Sequence, residues 1–261
     1  MAKKKTDGGI METVKTIFWA LLIAGVFRTL FFQPFWIPSG SMKDTLLIGD
    51  FLFVNKMAYG YSKYSCPFSA CPISGRILSR APHRGDVVVF RHPTQDVDFI
   101  KRLIGLPGDT VQVTGGHLLI NGKPVPEKPD GDFKEIMAPQ GPQQLMPRCA
   151  NAPVGEGDVC IKHRYIETLP NGVSHDILKI TDSGYANNTP VFTVPAGEYF
   201  MMGDNRDNSE DSRFSQAVGG VGFVPAANLI GRADRIMFSS AGRSLFYFWT
   251  WRADRFFKAI H

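Results

Sequence analysis

The chain has 261 residues, a formal net charge of +5 and 44% hydrophobic residues. This length allows one large domain or two modest ones, and the hydrophobic fraction is that of a folded protein rather than a disordered one. Lys3, Lys4 and Lys5 supply three of the positive charges, and the rest of the chain has no basic stripe of the kind that nucleic acids bind. We therefore expect no nucleic-acid partner.

An apolar run, TIFWALLIAGVFRTLFF, occupies residues 16–32 and contains one charge, Arg28. A membrane-spanning helix needs about 20 mainly apolar residues, so the run and its flanks are long enough. A cleavable export signal is the alternative, but bulky residues follow the run instead of a small-residue cleavage site. We predict an uncleaved single-pass anchor in the inner membrane, with the basic N-terminus in the cytoplasm and the rest on the periplasmic face.

Beyond this run, short apolar or alternating stretches separated by glycine and proline predict a mainly β fold. The pair Asn121-Gly122 in LLINGKPV predicts a two-residue hairpin turn, because both central residues of a type I′ turn need positive φ. The predicted strands cover residues 50–55, 86–91, 98–104, 110–113, 117–120, 191–194, 198–202 and 235–239.

The four cysteines lie in two close pairs, Cys66 with Cys71 and Cys149 with Cys160. Neither pair has the spacing and companion histidines of a zinc site, so we expect no metal. Two local disulfides are favoured if the domain faces an oxidising compartment, as the predicted topology requires. Four buried free thiols are the alternative.

The stretch IPSGSMKDTLLIGD, residues 37–50, follows the apolar run and has two serines flanking a glycine. A serine hydroxyl is a poor nucleophile unless a base takes its proton, and histidine is the usual base. The histidines lie in turn-like stretches, at the start of a predicted hairpin strand, in the inserted region or at the C-terminus. We expect each of them to occupy a surface or turn position rather than to act as the base: His83, His92, His117, His163, His175 and His261.

Lysine is the alternative base, provided that burial lowers its pKa from about 10.4 by several units. In the predicted strand DFIKRLIG, alternation places Lys101 on the same face as Phe99 and Leu103. Two large apolar neighbours favour the neutral amine. A lysine at a sheet edge that reaches water is the alternative when this strand is considered alone.

Three blocks, PSGSM, RGDVVVF with IKRLIGLPGD, and YFMMGDNRDNSEDSR, resemble in order and spacing the motifs of the bacterial type I signal peptidases (leader peptidases), which are Ser-Lys endopeptidases. The likeness covers about residues 30–112 and 196–240. With the patterns above it predicts one N-terminal transmembrane helix, then an antiparallel β-sheet catalytic domain with an inserted, loop-rich β subdomain. The expected division is 1–13 cytoplasmic N-terminus, 14–32 anchor, 33–112 first core part, 113–195 inserted subdomain, 196–240 second core part and 241–261 aromatic and basic C-terminal segment.

The resemblance implies a role for each matching residue. Ser41 would be the nucleophile, Lys101 the general base, and Ser39 an oxyanion donor beside the Ser41 backbone N–H. Ser209 would orient the lysine amine. Supporting salt bridges would come from Asp204, Asp211, Arg213 and Arg102, and the sites for small residues before the cut would be lined by Phe35, Ile37, Met42 and Ile100.

The implied enzyme needs no cofactor, cleaves signal peptides from exported precursors after small residues (Ala-x-Ala-like), and acts as a monomer with precursors and membrane lipid as partners. Ser41 follows Phe32 by nine residues, at most about 30 Å of chain, so the nucleophile is tethered near the membrane surface. Asp44 stands where the family usually has a proline, which would stiffen the turn.

Other functions fit parts of the sequence. A maturation peptidase dedicated to one exported substrate would use the same chemistry, and a non-catalytic, membrane-anchored binding module would need neither Ser41 nor Lys101 for reaction. A self-cleaving soluble repressor is disfavoured, because an anchor replaces a DNA-binding segment. The C-terminal SLFYFWTWRADRFFKAIH fits either a segment that rests on the membrane surface or one that packs back on the domain.

Overall fold

A computed structural model describes residues 9–242 and 247–260. The predicted cytoplasmic lysines Lys3, Lys4 and Lys5 lie outside the described residues, as do His261 and residues 243–246 of the C-terminal segment.

One long helix, α1 (Gly9–Leu30), carries the apolar run. Its 22 residues rise about 33 Å, and the hydrocarbon core of a bilayer is about 30 Å thick. None of its residues is buried against the rest of the protein, and the helix is long and apolar enough to cross a membrane. The prediction of an N-terminal helix that could span a membrane is confirmed, with a start five residues before the expected 14–32 anchor.

The rest of the described chain is built mainly from strands, which confirms the predicted fold class. The strands are β1 (Phe32–Trp36), β2 (Asp50–Asn55), β3 (Tyr61–Ser62), β4 (Arg76–Ile77), β5 (Val87–Arg91), β6 (Asp98–Gly105), β7 (Thr110–Thr114), β8 (His117–Ile120), β9 (Lys123–Pro124), β10 (Glu127–Ile136), β11 (Val159–Thr168), β12 (Ser174–Lys179), β13 (Phe192–Thr193), β14 (Glu198–Met202), β15 (Val224–Pro225) and β16 (Leu229–Ser239).

The central sheet has seven strands in the order β1-β2-β16-β5-β6-β14-β15, and every neighbouring pair is antiparallel. Strand β16 lies between β2 and β5, so strands from the N-terminal and C-terminal parts of the chain are neighbours in the middle of the sheet. Three smaller sheets have the orders β10-β11-β12, β13-β7-β8-β9 and β3-β4. The sheet β10-β11-β12 is called the three-stranded sheet below.

Apolar side chains cover both faces of the central sheet around β5 and β6. Val89 and Ile100 belong to one buried cluster, whereas Val88 and Leu103 belong to another, against which Phe99 packs. The two-sided burial explains the nearly continuous apolar run of β5. It also matches the alternation predicted for β6.

Most predicted strands occur within one residue of their expected bounds, and Asn121 and Gly122 have φ values of 53° and 73°, as the predicted turn requires. Strand β16 begins six residues early, and β1 was not predicted. The region 113–195, predicted to be a loop-rich inserted subdomain, contains two ten-residue strands, β10 and β11. The expected boundary between residues 112 and 113 falls inside β7.

The two cysteine pairs form disulfides: Cys66 is joined to Cys71, and Cys149 to Cys160.

The described part of the C-terminal segment packs back on the domain. The Trp251 ring lies 4.8 Å from that of Phe238 on β16, and Arg255 pairs with the buried Asp50 at 2.6 Å. Phe248 and Trp249 remain 67% and 69% exposed. The segment is therefore docked through one face and presents aromatic rings on another.

Candidate active site

Ser41 lies in a turn between β1 and β2 that is tied to the segment after β14. The backbone N–H of Asn205 donates to the Ser41 carbonyl at 3.0 Å, and the Asn205 side-chain amide donates to the Gly40 carbonyl at 2.9 Å. Ser41 is 8% exposed, and its Oγ lies 3.5 Å from Ser39 Oγ. The two serines of the turn thus have adjacent hydroxyl groups in a nearly enclosed position.

Lys101 reaches this turn from β6. Its Nζ donates to Ser41 Oγ at 2.7 Å and to the Ile100 carbonyl at 3.2 Å. The amine lies 5.1 Å from the centre of the Phe99 ring, and the residue is 4% exposed. The structure therefore brings together the serine and the lysine that were selected from the sequence, in an environment with little access to water.

Burial lowers the pKa of Lys101 to about 8, because an ammonium loses its hydration in this site. The acidic groups of Asp211, Glu210 and Asp204 act in the opposite direction. About a tenth of the amine is then neutral at pH 7. Such an amine can accept a proton from the Ser41 hydroxyl, as a general base must.

Two buried ion pairs surround the site. Arg102 donates from Nε and Nη2 to the two oxygens of Asp204 at 2.8 and 2.7 Å, and Arg213 donates from Nε and Nη2 to Asp211 at 2.8 Å each. Burial alone would raise the pKa of Asp204, but Arg102 outweighs it and holds the pKa below its usual value. The first pair ties β6 to the segment after β14.

Gly203 is close both to Ser209 and to the Ser41 turn. Among the described residues, the buried Ser209 Oγ has no hydrogen-bond partner, so the bond to Lys101 implied by the resemblance is not formed in this conformation. A Cβ on Gly203 would lie 2.2 Å from Ser209 Oγ and 2.6 Å from the Ser41 carbonyl oxygen. Glycine at this position permits both close approaches.

The predicted substrate-binding residues share one apolar cluster. Ile37, Met42 and Ile100 are buried in it, and Phe35 packs against it. Ile37 enters the turn from β1, and its N–H donates to the Asp50 carbonyl at 2.9 Å. Ile37 and Met42 flank the two serines in the chain and Ile100 precedes Lys101, so this cluster, called the apolar floor below, adjoins the site.

Sequence patterns missed several residues that hold the site. Asn205, Gly203 and Thr45 had no assigned role, although Thr45 Oγ1 donates to Asp204 at 2.5 Å. The available signal was the string GDN, which follows the apolar strand YFMM and contains Gly203 and Asn205. The expected surface or turn placement is wrong for His92 and His175, which are 1% and 5% exposed.

His175 is buried because it lies in an ionic cluster. Its Nε2 is 3.3 Å from Glu167 Oε2, and Glu167 pairs with Arg206 at 2.5 Å. Burial and the nearby Arg102 lower the pKa of His175. His175 thus belongs to a charge network of the three-stranded sheet, 3.8 Å from Asp204, rather than to the pair formed by Ser41 and Lys101.

Comparisons with known proteins agree on one family. A family model described as "Signal peptidase, peptidase S26" matches residues 10–238. Signal peptidase I of Rickettsia typhi is 39% identical over 246 residues, 90% of this chain and 83% of the relative. Signal peptidase I of Rickettsia prowazekii is 40% identical over 243 residues, 88% and 82%. A solved signal peptidase I from Enterococcus faecalis is 28% identical, with 59% of this chain and 97% of that chain covered and a TM-score of 0.30.

Proposed function

This chain belongs to the signal peptidase family, peptidase S26, and on that premise we propose that it cleaves signal peptides with Ser41 as nucleophile and neutral Lys101 as general base. Members of the family are serine endopeptidases that act on exported precursors with signal peptides. The observation that supports this assignment most directly is the 2.7 Å contact between Lys101 Nζ and Ser41 Oγ in a buried site.

In the proposed reaction Ser41 Oγ attacks the carbonyl carbon of the scissile bond while its proton moves to Lys101 Nζ. The oxyanion accepts hydrogen bonds from the Ser41 backbone N–H and from Ser39 Oγ, which lies 3.5 Å from Ser41 Oγ. Lys101 then passes the proton to the leaving amine. Water, deprotonated by the same amine, hydrolyses the acyl-enzyme and restores the serine.

Substrate preference follows from the apolar floor. Ile37, Met42 and Ile100 are already packed against one another, so little room remains for the substrate side chains next to the cut. We assign these residues, with Phe35, to shallow pockets that accept small side chains in an Ala-x-Ala-like pattern. The ion pairs of Arg102 and Arg213 support the reacting groups, and Ser209 lies against Gly203, next to the Ser41 turn.

Helix α1 is assigned as a single-pass anchor in the inner membrane, with the N-terminus in the cytoplasm and residues 33–240 on the periplasmic face. Residues 113–195 are assigned as the inserted subdomain of that catalytic domain. The exposed rings of Phe248 and Trp249 suit a lipid surface. The enzyme is taken to act as a monomer.

The experiment that tests the assignment incubates the full chain in detergent with each of a varied set of exported precursors. Cleavage is followed by sequencing the new N-terminus of the product, and the Ser41→Ala variant is the matched control. We expect cleavage after a small residue with the wild type and none with the variant. Cleavage that persists in the variant would exclude Ser41 as the nucleophile, and cleavage of a single precursor out of a varied set would indicate a dedicated maturation peptidase.

A further inference from the structure

Lys43 lies two positions after the nucleophile, and its side chain is bound to the three-stranded sheet. Its Nζ donates to Glu135 Oε2 on β10 at 2.5 Å and to Gln140 Oε1 at 2.6 Å. The Lys43 side chain is 6% exposed, and that of Glu135 is 10% exposed. A short turn of the catalytic site is thus joined to a different sheet by a buried ion pair.

The Glu135 carboxylate holds Lys43 firmly because both of its oxygens are engaged. Lys162 on β11 pairs with Oε1, while Oε2 accepts from Lys43 and from Gln140 Nε2, the latter at 2.8 Å. Burial would raise the pKa of Glu135, but Lys43 and Lys162 together hold it below the usual value. The carboxylate is therefore ionised at neutral pH and fixed from several sides.

The Lys43 side chain also runs back across the turn that contains Ser41. A Cβ on Gly40 would lie 3.3 Å from Lys43 Cε, and the Lys43 backbone N–H donates to the Gly40 carbonyl at 3.2 Å. A displacement of Lys43 therefore moves the peptide that carries the Ser41 N–H. This N–H is the proposed backbone donor to the oxyanion, which tolerates little misplacement.

The next residue is tied to the same sheet. Asp44 Oδ2 accepts from Arg164 Nη1 on β11 at 3.2 Å. Asp44 occupies the position where the resemblance leads one to expect a stiffening proline. Side-chain contacts from β10 and β11 thus restrain a turn whose backbone lacks the stiffening proline.

We propose that Lys43 is a positioning residue for the cleavage reaction, which through Glu135 fixes the Gly40–Ser41 peptide for oxyanion stabilisation. The inference rests on the proposed function, and in it the three-stranded sheet helps to position the nucleophile turn. Lys43 acts through the backbone of the turn and does not touch the reacting atoms.

The test compares Lys43→Met with Lys162→Met in the full chain. Each variant removes one of the two lysines that pair with Glu135 and leaves the other. Both variants therefore make the same lysine-to-methionine change and the same change in buried charge. Lys162 also lies within 3.8 Å of Cys160 Sγ and is on β11 rather than on the turn. We measure kcat and KM for precursor cleavage, the pH profile and the thermal midpoint.

For Lys43→Met we expect kcat to fall at least tenfold with KM within about twofold, and the lower limb of the pH profile to stay in place, because Lys101 remains the base. Lys162→Met is expected to lower kcat by no more than about threefold, because Glu135 Oε2 still accepts from Lys43 and Gln140. Equal effects of the two variants on kcat would overturn the proposal, as would a fall confined to KM or a shifted pH profile in Lys43→Met.

If Lys43→Met does not fold, Gln140→Ala replaces it, because this change removes the second acceptor of Lys43 and keeps the ion pair. We expect a drop in kcat of about threefold at unchanged KM, and an unchanged kcat would refute the positioning role. The Ser41→Ala control separates the two hypotheses. Activity in Ser41→Ala contradicts the proposed function, whereas inactive Ser41→Ala with fully active Lys43 and Gln140 variants contradicts this inference alone.

Discussion

Lys101 Nζ lies 2.7 Å from Ser41 Oγ although the two residues are 60 positions apart. Strand β6 carries the lysine, and the turn after β1 carries the serine. The segment after β14 connects them, since Asp204 pairs with Arg102 beside the lysine and Asn205 bonds to the turn. The contact is therefore a product of the central sheet and not of either motif alone.

The activity is expected to rise with pH. Because burial lowers the pKa of Lys101 to about 8 and only the neutral amine can act as base, kcat/KM should increase about tenfold per unit below pH 8 and level off above it. Initial rates of precursor cleavage, measured at steps of about half a pH unit between about pH 5.5 and about pH 9.5, give the profile. Enzyme incubated at each pH and then assayed at pH 8 controls for unfolding. A profile that is flat across this range would contradict the neutral-lysine base.

Lys101→Met should lose cleavage and gain stability. At pH 7 the wild type keeps a buried ammonium whose folded-state pKa, about 8, lies below the ordinary lysine value of 10.5. The unfolded state binds the proton more tightly, so wild-type stability is reduced below pH 8 and recovers as the pH rises towards 10.5. Methionine removes this cost, and we expect the free energy of unfolding at pH 7 to increase by about 1–3 kcal/mol. Chemical denaturation at pH 7 and pH 10 measures the gain and its decrease with pH.

Lys56 offers a matched control for this variant. It is also a buried lysine, 1% exposed, whose pKa is lowered to about 8 by burial, but its Nζ donates to the Ser65 carbonyl at 2.5 Å instead of to a serine hydroxyl. Lys56→Met should keep cleavage within about twofold of wild type. If both variants lost cleavage, the loss would reflect damage to the fold. If Lys101→Met remained active, Lys101 would not be the base.

Local sequence pattern was sufficient where one strand determines the environment. The alternation in DFIKRLIG placed Lys101 beside Phe99, and the structure has the amine 5.1 Å from that ring. Composition could not select Ser41 over Ser39, since both lie in one short turn. The resemblance to a known family made that choice.

Contacts between separate sheets were not predictable from the sequence. Strand β10, which carries Glu135, has no fully buried residue, its apolar residues Phe133 and Ile136 fall on opposite faces, and a register shift between Pro129 and Asp132 interrupts its pairing with β11. Its link to Lys43 depends on how two sheets pack. The burial of His175 among Glu167 and Arg206 has the same origin, because each charged residue alone suggests a solvent-exposed position.

The disulfide between Cys149 and Cys160 should contribute more to stability than the one between Cys66 and Cys71. The first closes a separation of 11 residues and the second a separation of 5, and loop closure predicts losses of about 3 and 2 kcal/mol. Cys160 is also fully buried, so a serine there adds a desolvation cost. Urea denaturation of the two double-serine variants measures the difference. The prediction is contradicted if the 66/71 variant is the less stable one.

Gly203→Ala should impair catalysis by steric displacement. The new Cβ would lie 2.2 Å from Ser209 Oγ and 2.6 Å from the Ser41 carbonyl oxygen, and the backbone oxygen can yield only if the nucleophile turn moves. Since a misplacement of about 1 Å can cost about 100-fold in rate, we expect kcat to fall by about that factor. Gly155→Ala is the matched control, because its Cβ would meet a side-chain oxygen of Asp158 at 2.9 Å, which can rotate away. Precursor cleavage by both variants, with circular dichroism to verify folding, provides the measurement. A folded Gly203→Ala enzyme with wild-type kcat would mean that the position of the Ser41 turn does not limit the reaction.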